Sequence, residues 1–196
     1  MKHLLPFFTC VLLLLLSACG PSNNVTLLPP PPPDTAVIPT PNAPRVTVVT
    51  FEDNRQDQSV IGVRRDRSAF VTSDNVSQWI SKGLADELSR QGLQISYALG
   101  VDEARKGNPD FLITGKIEEA TLTETSATEM SASLRVSYAL ANRQKRLLRE
   151  SPSAAQSRTG LFSSSAADNL MQETLLGLVK PMTQKIVQTV VPGKRN

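Results

Sequence analysis

Met130, Ala132, Leu134, Val136, Tyr138 and Leu140 alternate with Ser131, Ser133, Arg135 and Ser137 across residues 130–140. A period of two sends successive side chains to opposite faces, so this stretch is predicted as a strand with one buried and one wet face. Such a strand cannot stand alone. Its apolar side demands neighbours in a sheet and a layer to cover it.

The neighbours come from both directions along the chain. Residues 45–51 (RVTVVTF) are rich in β-branched side chains and predict a first strand, and residues 93–97 predict a second. Between them Val76, Trp79, Ile80, Leu84 and Leu88 recur at helical spacing, with Ser73 or Asp74 placed to cap the helix and Gly92 just past its end. A helix crossing over between two strands makes a βαβ-like opening with those strands parallel. Gly83 on the apolar stripe suits close approach of this helix to the sheet. The polar residues 52–72 are expected to form a loop, and residues 101–106 a short helix ended by Gly107, Asn108 and Pro109.

A third strand starts with Phe111, Ile113 and Ile117, after which the apolar phase moves to Ala120 and Leu122. That slip from odd to even positions requires a bulge near Glu118 and Glu119. The Ser- and Thr-rich residues 121–133 mark a hairpin tip, where an exposed edge would accept a partner's strand or simply stay wet. Residues 142–145 turn the chain into a fifth strand from Arg146, and Pro152 within it argues for an edge position. Met171, Leu175, Leu178, Val179, Met182, Ile186 and Val190 predict a final helix over residues 166–191, kinked or split at Pro181. The expected architecture is α+β: a mixed five-stranded sheet with two main helices packed on one face, a βαβ-like start, an antiparallel meander and a long C-terminal helix. By length, residues 45–196 form one domain.

Ahead of that domain the composition changes twice. Residues 20–44 hold nine of the fourteen prolines, with the run 29–33 among them. Little apolar surface remains there to offset ordering entropy, so residues 19–44 are predicted to be a Pro-rich linker with a reach of roughly 70 Å. Residues 1–18 begin Met1-Lys2-His3 and continue through thirteen residues dominated by Leu, Phe and Val. That run is too short to span a bilayer, which takes about 20 residues, and has the basic-then-apolar plan of a signal peptide.

The leader closes on Leu16-Ser17-Ala18-Cys19, which resembles the lipobox of bacterial lipoproteins. The resemblance implies cleavage before Cys19, a diacylglycerol on its thiolate and a further acyl chain on its new amine. Two or three chains together anchor durably where one does not. By the sorting rule of such lipoproteins, Gly20 rather than Asp after Cys19 implies the outer membrane, on its periplasmic side.

Cleavage there also removes chemistry. Lys+Arg falls from 21 to 20 with the loss of Lys2, against 18 acidic residues, leaving a net charge of +2. Nucleic-acid binding calls for a larger and clustered excess, so no nucleic-acid partner is expected. The only histidine, His3, leaves with the leader, and so does Cys10. With no histidine and one acylated cysteine, the mature chain has no Ser-His-Asp or Cys-His apparatus and no Cys/His zinc site. Neither a metal nor a cofactor is expected. An enzyme would have to rest on paired carboxylates, a lysine or a Ser-Lys arrangement, and no spacing marks any of them.

Asp53-Asn54-Arg55, followed by Ile61-Gly62-Val63-Arg64, a capped helix and Gly92, resembles the YajG family of bacterial lipoproteins. The resemblance covers lipobox, linker and most of the domain. The domain order is also similar to the amino-terminal domain of TolB and to the peptidoglycan-synthase activator lipoproteins. Membership implies an outer-membrane lipoprotein. It implies a location rather than an activity.

Two groups of residues stand out as candidate binding sites. Asp53, Asn54 and Arg55 directly follow a strand, where loops often carry function; equally, Asp and Asn shape turns and Arg55 has Asp53 or Asp57 to pair with. In the same loop Arg64, Arg65 and Arg67 could fork onto phosphates or carboxylates of lipid or glycan, or remain a solvated loop diluted by Asp66. Trp79, the only tryptophan, is expected in the core. The function expected from all of this is non-enzymatic: a lipid-anchored module binding an envelope protein or peptidoglycan, with an anionic glycan or lipid held by the arginine loop as the alternative.

Overall fold

The computed structural model describes residues 23–33 and 37–191. The leader, Cys19 and the lipobox lie outside the described residues. The expected α+β fold is present, with four short strands beyond the five anticipated. Strand β1 (Arg45–Val49) leads through β2 (Glu52–Asp53), β3 (Val60–Val63) and β4 (Ala69–Val71) to helix α1 (Val76–Ser89). Then come β5 (Gln94–Ala98), the short helix α2 (Val101–Lys106), β6 (Phe111–Ser126), β7 (Glu129–Asn142), β8 (Arg146–Glu150), β9 (Ser153–Thr159) and α3 (Ala166–Val190).

The β6–β7 hairpin is the spine, pairing antiparallel from Phe111 with Asn142 to Ser126 with Glu129. The anticipated bulge is there, as a register shift between Ile117 and Glu119 that returns Ala120 and Leu122 to the buried face. Shorter strands tile both outer edges. Along β6 lie β1, β2 and β3 in succession, all parallel to it, and β5 continues the sheet beyond β1 in parallel, as a βαβ opening requires. Along β7 lie β8 and β9, with Pro152 between them. Proline has no N–H to donate, so the edge strand breaks there, while its carbonyl still accepts from Val136 N–H at 3.1 Å. The region expected as a loop, residues 52–72, therefore contains three strands. Their lengths of two to four residues leave almost no periodicity to detect.

Val46, Val48, Ile113, Ile117, Leu134, Val136 and Leu140 are buried beneath α1 and α3, whose Ile80, Leu84, Leu175, Val179 and Ile186 close the core. Val49, Leu112 and Ala98 alternate to the opposite face, where Ala104 of α2 covers them. Phe51 N–H donates to Ser81 Oγ at 2.8 Å, a buried tie from sheet to helix. Gly83 proves to be a helix–helix contact: a Cβ there would lie 3.0 Å from Leu175 Cδ2, so it admits α3 rather than the sheet. Helix α3 runs through Pro181 as one element. Asn75, not Ser73 or Asp74, caps α1 by accepting from Gln78 N–H at 2.9 Å.

Asp74 is engaged elsewhere, because residues 23–33 form a strap against the domain. Leu27 N–H donates to Asp74 Oδ2 at 2.8 Å, and Thr26 N–H to Asp168 Oδ1 at 3.0 Å. Val25 and Leu27 are buried at 1% and 7% exposure. The first part of the expected linker is thus packed. Its prolines lack donors, so its carbonyls need partners, and side chains supply them: Trp79 Nε1 donates to Leu28 O at 2.8 Å, Gln172 Nε2 to Pro29 O and Arg90 to Pro31 O.

Candidate functional site

Asp53 is the last residue of β2, and its carboxylate is filled from the loop that follows. Arg55 Nε donates to Oδ1 at 2.9 Å and Nη2 to Oδ2 at 2.7 Å, a two-pronged pair whose side chains are 8% and 7% exposed for Arg55 and Asp53. Further donations run from Arg55 Nη1 to Val60 O at 3.1 Å and from Nη2 to Gln58 O at 3.0 Å. Asn54 N–H donates to Ile117 O at 3.1 Å. These contacts turn the chain between β2 and β3 and consume the guanidinium. Asp53 and Arg55 form a staple, with Asn54 exposed beside it.

The three arginines of the next turn separate. Arg64 Nε donates to Glu124 Oε2 at 2.9 Å and Nη1 to Asn23 Oδ1 at 2.6 Å, and the guanidinium sits 5.8 Å from the Phe70 ring centre. It ties the β3–β4 hairpin to β6 and to the strap. Arg65 and Arg67 are exposed at the hairpin tip, and among the described residues neither makes a hydrogen bond or ion pair through its side chain. Arg67 takes a positive φ of 69° to close the turn. Asp66 between them accepts from Ser68 Oγ at 2.6 Å and Ser68 N–H at 3.0 Å, bonds that hold its carboxyl below the usual carboxylate range.

A different group lines a concavity. On the face of the sheet opposite α1 and α3, beside the short helix α2, a groove of about 370 Å³ is lined by Thr50, Glu52, Thr114, Lys116, Ser137 and Arg149, among others. Lys116 Nζ pairs with Glu52 Oε2 at 2.8 Å, whereas among the described residues no ion pair engages Arg149 or the nearby Arg146. Arg149 stands opposite Ala139 in the β7–β8 register. The groove offers cations and hydroxyls on a rigid floor, with Lys116 opposite Ser137 in the β6–β7 register. Sequence reasoning missed it because Thr114, Lys116, Ser137 and Ala139 look like an ordinary wet face until β6 and β7 are set in register. The hairpin edge expected to accept a partner's strand is occupied, by β9 on β7 and by β3 on β6. Trp79 is buried as expected, at 8% exposure.

Among solved structures, a protein of the DUF330 family from Xanthomonas campestris superposes with a TM-score of 0.55, over 86% of this chain and 97% of its own, at 12% identity. That is a likeness of fold. A lipoprotein from Neisseria meningitidis matches at a TM-score of 0.41 and 14% identity, over 74% of this chain and 99% of its own. The PelC dodecamer from Paraburkholderia phytofirmans matches at 0.40 and 16%, over 74% and 94%. Neither reaches 0.5, so neither bears on assembly or function. No family model and no curated protein matches the sequence.

Proposed function

We propose that the chain is a non-enzymatic bacterial lipoprotein, acylated on Cys19 and held on the periplasmic side of the outer membrane, where its domain binds an envelope component. The observation that carries this reading is the Leu16-Ser17-Ala18-Cys19 box followed, four residues on, by a strap docked on the domain from Asn23. The chain leaving the lipid is structurally committed at once. Among the described residues no helix is long and apolar enough to cross a membrane. Kinship with the YajG family belongs to the same proposal, with Asp53 and Arg55 of its motif acting as a staple.

The groove supplies the binding surface. Lys116, Arg146 and Arg149 favour an acidic segment of an envelope protein or the carboxylates of peptidoglycan, since guanidinium forks match carboxylates in geometry as well as charge. The arginine loop as a glycan site is weaker, because Arg64 is spent on Glu124 and Asn23.

Intact mass of the detergent-extracted protein tests the anchor: an acylated Cys19 is expected at the amino terminus, and a free one overturns it. A photo-crosslinker at Ser137 tests the groove. It should trap the same envelope component repeatedly, and lose it when Arg146 and Arg149 are changed to Glu; capture unaffected by that change removes the groove from the proposal.

A further inference from the structure

The strap limits how far the domain can sit from Cys19. Asn23 is already bound, its carbonyl accepting from Val71 N–H at 2.9 Å and its Oδ1 from Arg64 Nη1 at 2.6 Å. Four residue steps separate it from Cys19, about 14 Å at full extension, against the roughly 70 Å available if the whole Pro-rich segment were spacer. The strap bridges Val71 in parallel, and β4 runs from the β3–β4 tip toward Val71. The beginning of the strap is therefore its end nearer that tip.

Three connections gather at the same end of the sheet. Val63 of β3 lies against Thr123 of β6, Thr123 against Ser131 of β7, and Glu129 of β7 against Thr159 of β9. Beyond these pairs come the β3–β4 tip, the β6–β7 tip and the residues after β9. Exposed there are Arg65 and Arg67 and, just past β9, Leu161 at 94% exposure, the most exposed large apolar side chain described. The acids at this end are Asp66, bound back by Ser68, Glu124, paired with Arg64, and Glu129, exposed on β7. The turn at residues 142–145 is at the opposite end, roughly 50 Å away along the 16 residues of β6.

We infer that this end of the sheet rests on the anionic phospholipid surface that holds the acyl chains of Cys19. Arg65 and Arg67 meet lipid phosphates, Leu161 enters the interface, and the sheet stands upright with residues 142–145 pointing away. The inference rests on the lipid-anchor reading. The tether supplies proximity and the two arginines orientation, because a basic side chain beside an anionic bilayer favours contact about fivefold.

Cys19 is blocked by acylation, so one introduced cysteine is the sole free thiol of the mature chain. The acylated full-length protein is reconstituted into phosphatidylethanolamine–phosphatidylglycerol vesicles with a fluorophore on Ala127→Cys, at the β6–β7 tip, or on Gln144→Cys. Nitroxide-headgroup lipid should quench the first strongly and the second hardly at all. In the Ala127→Cys background, Arg65→Glu, Arg67→Glu and Leu161→Asp together should reduce quenching severalfold while flotation with vesicles persists. Co-flotation without contrast between the two positions, or with the triple variant quenched as before, overturns the inference alone. A protein that does not float and carries a free amino terminus overturns the anchor and takes the inference with it.

Discussion

The indole nitrogen of Trp79 donates to the carbonyl of Leu28 at 2.8 Å, so the single tryptophan on the buried stripe of α1 also fastens the segment that leads back toward Cys19. Core packing and tether are coupled through one side chain.

Trp79→Phe keeps most of the ring's packing and removes that bond. The expected cost is about 1 kcal/mol, mainly for leaving a part-buried carbonyl unmatched, read as a lowered urea midpoint. Amide protection should fall at Val25 and Leu27. The same substitution in a chain lacking residues 23–33 should cost clearly less; an equal cost would mean that Trp79 acts through the core alone.

Arg55→Ala leaves Asp53 charged, nearly buried and without its partner. Breaking such a pair typically costs about 3 kcal/mol or more, and the loop between β2 and β3 should lose proteolytic resistance along with stability. Arg55→Lys should recover little of it, because one ammonium cannot reach both Asp53 oxygens and the carbonyls of Gln58 and Val60 together.

Long-range order was legible wherever an element is long enough to show a period. The alternation through Leu140, the phase slip near Glu118 and the α3 stripe all announce themselves in composition and spacing. What stayed hidden depends on partners distant in sequence. β2 and β3 are strands because β6 offers its edge, β4 because β3 then offers its own, and no propensity in two to four residues declares that. Asp74 has the chemistry of a helix cap, yet the strap's Leu27 N–H takes it and Asn75 caps instead. The strap was obscured by its prolines, although Val25 and Leu27, four and two positions before the run, are the apolar pair that docks. Arg64 differs from Arg65 and Arg67 through Glu124, sixty residues away, and Asn23 of the strap.

Gly62 is where β3 touches β6 most closely. A Cβ there would lie 1.8 Å from Leu122 O and 2.8 Å from Leu122 N, both backbone atoms that cannot swing aside. Gly62→Ala should therefore separate β3 from β6, with a loss at the upper end of the 1–3 kcal/mol typical of overpacking, or about 3 kcal/mol. Gly100→Ala, where a Cβ meets nothing within 4 Å, serves as control and should leave the melting temperature nearly unchanged.

Asp110 gives the pH dependence a definite sign. Arg45 N–H donates to its Oδ2 at 3.0 Å and Arg45 Nη2 to Oδ1 at 3.4 Å, and Arg143 Nη2 lies 3.7 Å from Oδ1. The backbone donor first, then the guanidinium, hold the carboxyl below its ordinary value of 3.8. A depressed folded value means that the ionised form stabilises the fold above the unfolded value, and that this contribution drains away as pH falls through the folded one. Asp110→Asn should then lower the melting temperature slightly at neutral pH, the pair being solvent-screened, and the difference from wild type should close in strong acid. A gap that widens on acidification would show that Asp110 is not held ionised by Arg45.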